Sequence, residues 1–214
     1  MDNNIFKDFF AKRCHLAIKA LKENNFEAIY AYDSKEALGK IVSLIPEDAT
    51  VGIGGSITVR EIGLVDVLEK QRNVIFSHWE KGHTIEEKTE IRRKALTSDV
   101  YITSSNAITL KGQLVNIDGT GNRVGAMIFG PKKIIIIAGA NKIVDTLDEA
   151  FSRIRNVASP LNGRRLNKKT PCALIGQCTN CNSPDRMCNI SVVIDKKPNL
   201  SDINIILVGE SLGY

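Results

Sequence analysis

Apolar residues recur along this chain with two periods, one helical and one extended, and the two alternate. Over residues 4–24, Ile5, Phe9, Ala17, Ile18 and Leu21 fall near one face of a helix, leaving Lys12, Arg13, Lys19 and Lys22 for the other. FEAIYAY, 26–32, predicts a first strand. Ser34 is placed to cap a helix running to about residue 44, and Pro46 and Asp48 make a turn. ATVGIGG predicts a strand ending in a glycine turn, followed by a helix over about 57–70. A strand over 73–77 precedes a helix over 84–97, which Thr84 opens with Glu87 as its capping-box partner. SDVYITS, 98–104, predicts the next strand, and NAIT with GQLVNID predicts an antiparallel insertion turning around Lys111 and Gly112. KKIIIIAGA, 132–140, is an unbroken apolar run, the pattern of a central parallel strand buried on both faces. A helix over about 145–157 and late strands over 190–195 and 203–209 complete the series.

Strands alternating with helices argue for an α/β sheet wrapped by helices. The 214 residues fit one domain, 1–214, and a 43% hydrophobic content supplies a substantial core. A net charge of +5 permits anionic small-molecule partners without demanding nucleic acid. At 6% aromatic residues a base-stacking platform is not expected. The start, MDNNIFKDFFAKR, is amphipathic and charged rather than a secretory signal, and no apolar run approaches a membrane span. The expectation is a cytoplasmic protein with neither nucleic acid nor membrane as partner.

In such folds ligands sit at the carboxyl ends of the strands, so the residues there carry most weight. In VGIGGSITVREIGL, Gly54 and Gly55 turn the chain after a strand, and Ser56 to Thr58 open a helix. Glycines let backbone N–H groups approach a ligand and the helix start adds free donors, which makes a candidate phosphate or carboxylate cradle. Ordinary capping, Thr58 with Glu61, accounts for the same pattern. In NIDGTGNRVGAMIFGP, Asp118, Asn122 and Arg123 stand among three glycines as an acid–amide–cation set in a turn; a bulge or hairpin turn also explains the glycines. In AGANKIV, Asn141 and Lys142 come after the central strand, and Lys142 is placed to neutralise an anion or to be a solvated lysine beyond a cap. The basic run 151–170 reads as a solvated face or as counter-charge for the cysteine-rich segment after it. Of the histidines, His78 and His83 flank Trp79 and could lie near a site.

The cysteine-rich segment is PCALIGQCTNCNSPDRMCN, where Cys172, Cys178, Cys181 and Cys188 are spaced C-x5-C-x2-C-x6-C. Four thiols so close are too many for packing alone. Cys178 and Cys181 are a chelating step, and thiolates suit zinc, copper(I) or iron–sulfur clusters. The spacing names no metal, and thiols or disulfides in a tight loop are the alternative. Cys14, inside the first helix, reads as a small core residue rather than a fifth ligand.

Taken together, GIGGSITVREIGL, TSSNAIT, GQLVNIDGTGNRVGAMIFGPKKIIIIAGANKIV, PLNGRRL with the cysteine run, and ILVGESLGY resemble the lactate-utilisation, or LUD-domain, family. The match covers most of 50–214 in order. The family is similar in fold to the ribose-5-phosphate isomerase, glucosamine-6-phosphate deaminase and CoA-transferase group. The resemblance therefore implies a three-layer α/β fold with helices on both faces of the sheet, and a turn over 52–58 that approaches an anionic ligand. Some members act with iron–sulfur partner proteins in oxidising L-lactate to pyruvate. This implies an accessory or electron-transfer role in 2-hydroxy-acid utilisation, with a redox partner protein. The four cysteines at 171–189 would hold a 4Fe-4S cluster or, alternatively, zinc. The chain has no flavin or nicotinamide fingerprint. The other expectation is an isomerase- or CoA-transferase-like enzyme for a small anionic metabolite. There 54–58 would bind the ligand, Asp118 would act as acid or base, and Arg123 or Lys142 would clamp the anion.

Overall fold

The computed structural model describes residues 3–79 and 82–214. Met1, Asp2, Glu80 and Lys81, the first two of them part of the amphipathic start, lie outside the described residues. Helix α1 (Asn3–Glu23) buries Cys14, Ala17, Ile18 and Leu21, a helical i, i+3, i+4, i+7 stripe. Ile5 and Phe9, expected on that face, are exposed, because α1 meets the core only from Phe10 onward. Asn25 takes the left-handed conformation that ends the helix, with φ of 65°, and Phe26 N–H returns to the Leu21 carbonyl.

Strand β1 (Glu27–Ala31) and helix α2 (Ser34–Val42) come next, with Asp33 rather than Ser34 as the cap, accepting from Glu36 N–H. After them lie β2 (Thr50–Ile53), α3 (Ile57–Glu61) and α4 (Leu64–Lys70). The single helix expected over 57–70 is two, because Gly63 breaks it in the left-handed region at φ 70°. Then come β3 (Val74–Ser77), α5 (Ile85–Ala95), β4 (Val100–Thr103), and the antiparallel pair β5 (Ala107–Thr109) and β6 (Leu114–Asp118). The segment read as a turn around Asn122 is instead a helix, α6 (Asn122–Phe129), entered through Gly121 at φ 90°. It buries Val124, Ala126 and Met127, and that packing outweighs the turn preference of its glycines.

The apolar run forms β7 (Lys133–Gly139). After β8 (Ile143–Val144), α7 (Leu147–Arg153) continues through a π-helical stretch, Ile154–Ala158, into α8 (Ser159–Arg165). The short α9 (Pro171–Ile175) opens the cysteine segment. Strands β9 (Ile190–Ile194) and β10 (Asp202–Val208) end the series.

Six strands form a parallel sheet in the order β1-β10-β7-β4-β2-β3. Strand β7 shows why the sheet has two covered faces. Ile134, Ile136 and Ala138 join α1 and α6 in one core cluster, while Ile135 and Ile137 join α2, α3 and α4 in another. The fold is therefore a three-layer α/β sandwich, as expected. A second, mixed sheet, β8-β5-β6-β9, packs its Ala107, Val115 and Ile117 against Ala150 and Ile154. The carboxyl ends of β2, β4, β6 and β7 release the segments that build the site.

Candidate functional site

A cavity of about 830 Å³ lies beyond these strand ends. Gly55, Ser56 and Thr58 enter it after β2, Ser104 to Asn106 after β4, Asp118 and Asn122 around the end of β6, and Lys142 after β7. Its charge is one-sided. Arg60, Arg123 and Lys142 line it from the strand-end segments, Lys88 and Arg92 from α5, and Arg165, Lys168 and Arg186 from α8 and the chain beyond. Against these eight basic side chains, Asp118 and Asp185 are the side-chain carboxylates lining it among the described residues.

Lys142 is buried, at 3% exposure. Its Nζ donates to Thr58 Oγ1 at 2.7 Å and to Ser104 Oγ at 2.8 Å, and no carboxylate among the described residues is paired with it. Loss of hydration, then the positive charges of Arg153 and Arg123, pushes it from 10.5 down to about 7, with Glu61 opposing. Thr58 is held by α3, whose cap is Ser56, accepting from Val59 N–H at 3.3 Å. Glu61, the expected capping-box partner of Thr58, instead accepts from Gly213 N–H at 2.6 Å. Asn141 stands behind the cavity wall: its amide accepts from Leu212 N–H and donates to the Gly213 carbonyl, fixing 212–213 across the strand ends.

Asp118 and Arg123 form a buried ion pair at 2.7 Å. Arg123 also donates to the Ser104 and Ile117 carbonyls and to the side-chain oxygens of Asn116 and Asn106. Asp118 accepts from Val124 N–H as well, so it ties β6 to the start of α6. The guanidinium is thus consumed in holding three segments together: the 104–106 loop, the end of β6 and the start of α6.

The glycine turn works through close packing. A Cβ on Gly54 would lie 2.8 Å from Thr103 Oγ1 and 2.9 Å from the Tyr101 hydroxyl, and one on Gly55 would lie 2.8 Å from Trp79 Nε1. Trp79, the chain's single tryptophan, lines the cavity beside Gly55, with Arg60 and Arg165 stacked over its ring at 4.6 and 4.7 Å from the centroid. His78 meets the indole edge-on and is pushed down to about 4 by burial and then by Arg92 and Lys88. The His78–Trp79 pair is visible in sequence as an aromatic–basic cluster at a strand end. Arg165 is visible only as one member of the basic run 151–170, and Arg60 and Ser104 carry no such signal, since each is ordinary in its own segment.

The cysteine segment forms part of the cavity wall through Asp185, Arg186, Met187 and Asn189. Arg186 donates to the Cys188 carbonyl at 3.1 Å and to the Cys181 carbonyl, bracing the loop from within. Asp185 accepts from Lys168 Nζ and Lys169 N–H, and Asn189 N–H reaches the Asp118 carbonyl. Cys172, Cys178, Cys181 and Cys188 are free and half-buried. Cys172 Sγ lies 3.3 Å from Thr170 Oγ1, and Cys188 Sγ lies 3.4 Å from Ser159 Oγ. As a donor set, four soft thiols in one loop fit a thiolate-bound centre. Among the described residues, no three histidine, cysteine or acidic side chains converge on one point, so binding would draw the loop together. Cys14 sits apart in the core, its thiol pushed up to about 12 by burial.

No helix among the described residues is long and apolar enough to cross a membrane. Comparison with curated protein sequences gives no match. The fold is similar to that of a DUF162 family protein from Deinococcus radiodurans, whose crystal structure was determined at 1.70 Å resolution. The TM-score is 0.52, covering 93% of this chain and 98% of that one at 11% sequence identity, a likeness of fold alone. The LUD domain profile matches residues 14–208, from the buried half of α1 to the end of β10, and the chain therefore belongs to the LUD domain family, which is associated with lactate utilisation.

Proposed function

We propose that the cavity binds a small anionic metabolite of the 2-hydroxy- or 2-oxo-acid class, and that the protein is an accessory or electron-transfer component of lactate utilisation. The observation that carries this reading is the charge of the cavity: among the described residues eight basic side chains line it against two side-chain carboxylates, in a LUD domain. Fixed positive groups in a partly dry cleft favour an anion far more than the same charges in water. Arg60 and Arg165, held over the Trp79 ring, offer planar guanidinium groups of the kind that suits a carboxylate or phosphate. Asp118 and Arg123 hold the wall in place, and Lys142 supplies the innermost nitrogen.

Cys172, Cys178, Cys181 and Cys188 are the residues that would hold a 4Fe-4S cluster or zinc, and an iron–sulfur protein is the corresponding redox partner. A cluster would supply one-electron transfer beside the cavity, and zinc would clamp the loop. The second reading, an isomerase- or CoA-transferase-like enzyme, draws on the cavity's size. Its volume falls within the roughly 300–1,000 Å³ typical of drug-sized ligands, which leaves room for a phosphorylated or CoA-linked metabolite.

A thermal-shift screen of lactate, pyruvate, sugar phosphates and CoA esters tests the binding. A ligand at a hundred times its Kd adds about 2.7 kcal/mol to stability, enough to move the melting temperature measurably. A response to lactate or pyruvate supports the first reading, and a response confined to CoA esters or sugar phosphates supports the second. If no anion moves the melting temperature, the cavity is not an anion site.

A further inference from the structure

The hydrogen bonds around Lys142 fix the direction of each donor. Thr58 Oγ1 donates to the Leu212 carbonyl at 3.3 Å, and Ser104 Oγ donates to the Ser105 carbonyl at 3.3 Å. Each hydroxyl proton is spent there, so each oxygen offers Nζ a lone pair. Nζ must therefore donate to both. Two of its three substituent positions are tied down, and the third has no acceptor and no ion-pair partner among the described residues. In the amine form that third position is the nitrogen lone pair.

We propose that Lys142 is the nucleophile of a covalent imine site for 2-oxo acids. This rests on the reading of the cavity as an anion site. An amine whose two N–H groups are both donated to fixed oxygens has its lone pair pre-oriented, and Lys142 lines the cavity that the cations surround. Burial and the charges of Arg153 and Arg123, which outweigh Glu61, hold the amine form within reach of neutral pH.

The lone pair adds to the C2 carbonyl carbon. The carbonyl oxygen gains a proton as the nitrogen loses one, giving a carbinolamine. That hydroxyl then departs with the remaining N–H proton as one water, leaving the C=N bond. No oxidant or reductant takes part. A 2-hydroxy acid has no carbonyl at C2, and its carboxylate does not condense with an amine, so it binds without reacting. The site would thus distinguish the oxidised member of a 2-hydroxy/2-oxo acid pair from the reduced one, and it stands downstream of a reaction that produces a 2-oxo acid.

The test incubates the full chain near pH 7 with pyruvate, and separately with lactate, and then applies borohydride reduction, intact mass measurement and peptide mapping. One adduct per chain at Lys142 with pyruvate, and none with lactate, is the expected result. Exposed lysines are protonated at this pH, so their neutral fraction is lower by on the order of a thousandfold and labelling should be that selective. Lys142→Arg should lose the adduct while keeping a cation at the position. Trp79 fluorescence reports anion binding independently. An absent adduct, or one spread over surface lysines, while lactate still changes Trp79 fluorescence, overturns the imine and leaves the anion site standing. Silence in both assays removes both. The peptide map of the unsubstituted chain decides the matter even where Lys142→Arg fails to fold.

Discussion

Two bases in the cavity wall, Lys142 and His78, are shifted toward their neutral forms, and both shifts make stability depend on pH in the same direction. Between about pH 7 and 10.5 the unfolded chain keeps on Lys142 a proton that the folded chain has released. Stability contributed by this group is therefore fullest above 10.5 and falls as the pH drops to 7. The shift corresponds to about 5 kcal/mol at full span. Lys142→Met should raise the melting temperature at pH 6 and lose about half of that advantage by pH 9, as thermal denaturation at both values will show. His78 adds a second loss between pH 6.5 and about 4, because burial, Arg92 and Lys88 oppose its protonation. Arg123 behaves differently, because it is paired. Arg123→Ala leaves the Asp118 carboxylate buried without its partner and should cost about 3–5 kcal/mol in chemical denaturation. Arg123→Lys should recover little, since one ammonium cannot reach the acceptors that a planar guanidinium spans. Asp118, Arg123 and Lys142 are legible in the sequence as strand-end residues. Thr58 is legible too, as part of the glycine turn, but its contact with Lys142 and that of Ser104 are not, because they lie 84 and 38 residues away.

Among the elements, α5 is the most legible. Thr84 and Glu87 form the complete capping box expected from their spacing, with Glu87 N–H donating to Thr84 Oγ1 and Thr84 N–H donating to the Glu87 carboxylate. Because α5 carries Lys88 and Arg92 to the cavity, Thr84→Ala should cost about 1 kcal/mol in denaturation and also weaken anion binding. Helix α6 is illegible because its sequence argues locally for turns, at Gly119, Gly121 and Gly125, while its stability comes from tertiary burial and the hydrogen bond from Val124 N–H to Asp118. The cysteine loop stands out by composition alone, whereas its bracing by Arg186 and its place in the cavity wall depend on the folded chain. If it holds metal, replacing Cys178 and Cys181 together with serine should remove the metal from anaerobically prepared protein, as measured by metal and sulfide analysis. Cys14→Ser should retain it, since that thiol is sealed in the core. Full metal content in the double variant would defeat the assignment.

At the scale of the molecule, alternation and the four isoleucines of β7 are enough to read a helix-covered parallel sheet. Strand order is not readable, because nothing in a parallel strand's composition names its neighbour. Among the described residues, β1 pairs only with β10, Glu27 beside Asn204 through Ala31 beside Val208. This dictates a timetable for synthesis. At roughly 5–20 residues per second, β1 leaves the ribosome some ten to thirty seconds before its partner exists. Until then it is an unpaired strand edge, carrying Ile29 and Tyr30, and α1 cannot complete the core it shares with β10. Closure of this edge of the sheet therefore waits for β10, whereas β2, β3, β4 and β7 can pair before it is made. In pulsed hydrogen exchange during refolding, the β1 amides should gain protection together with those of β10 and never ahead of them.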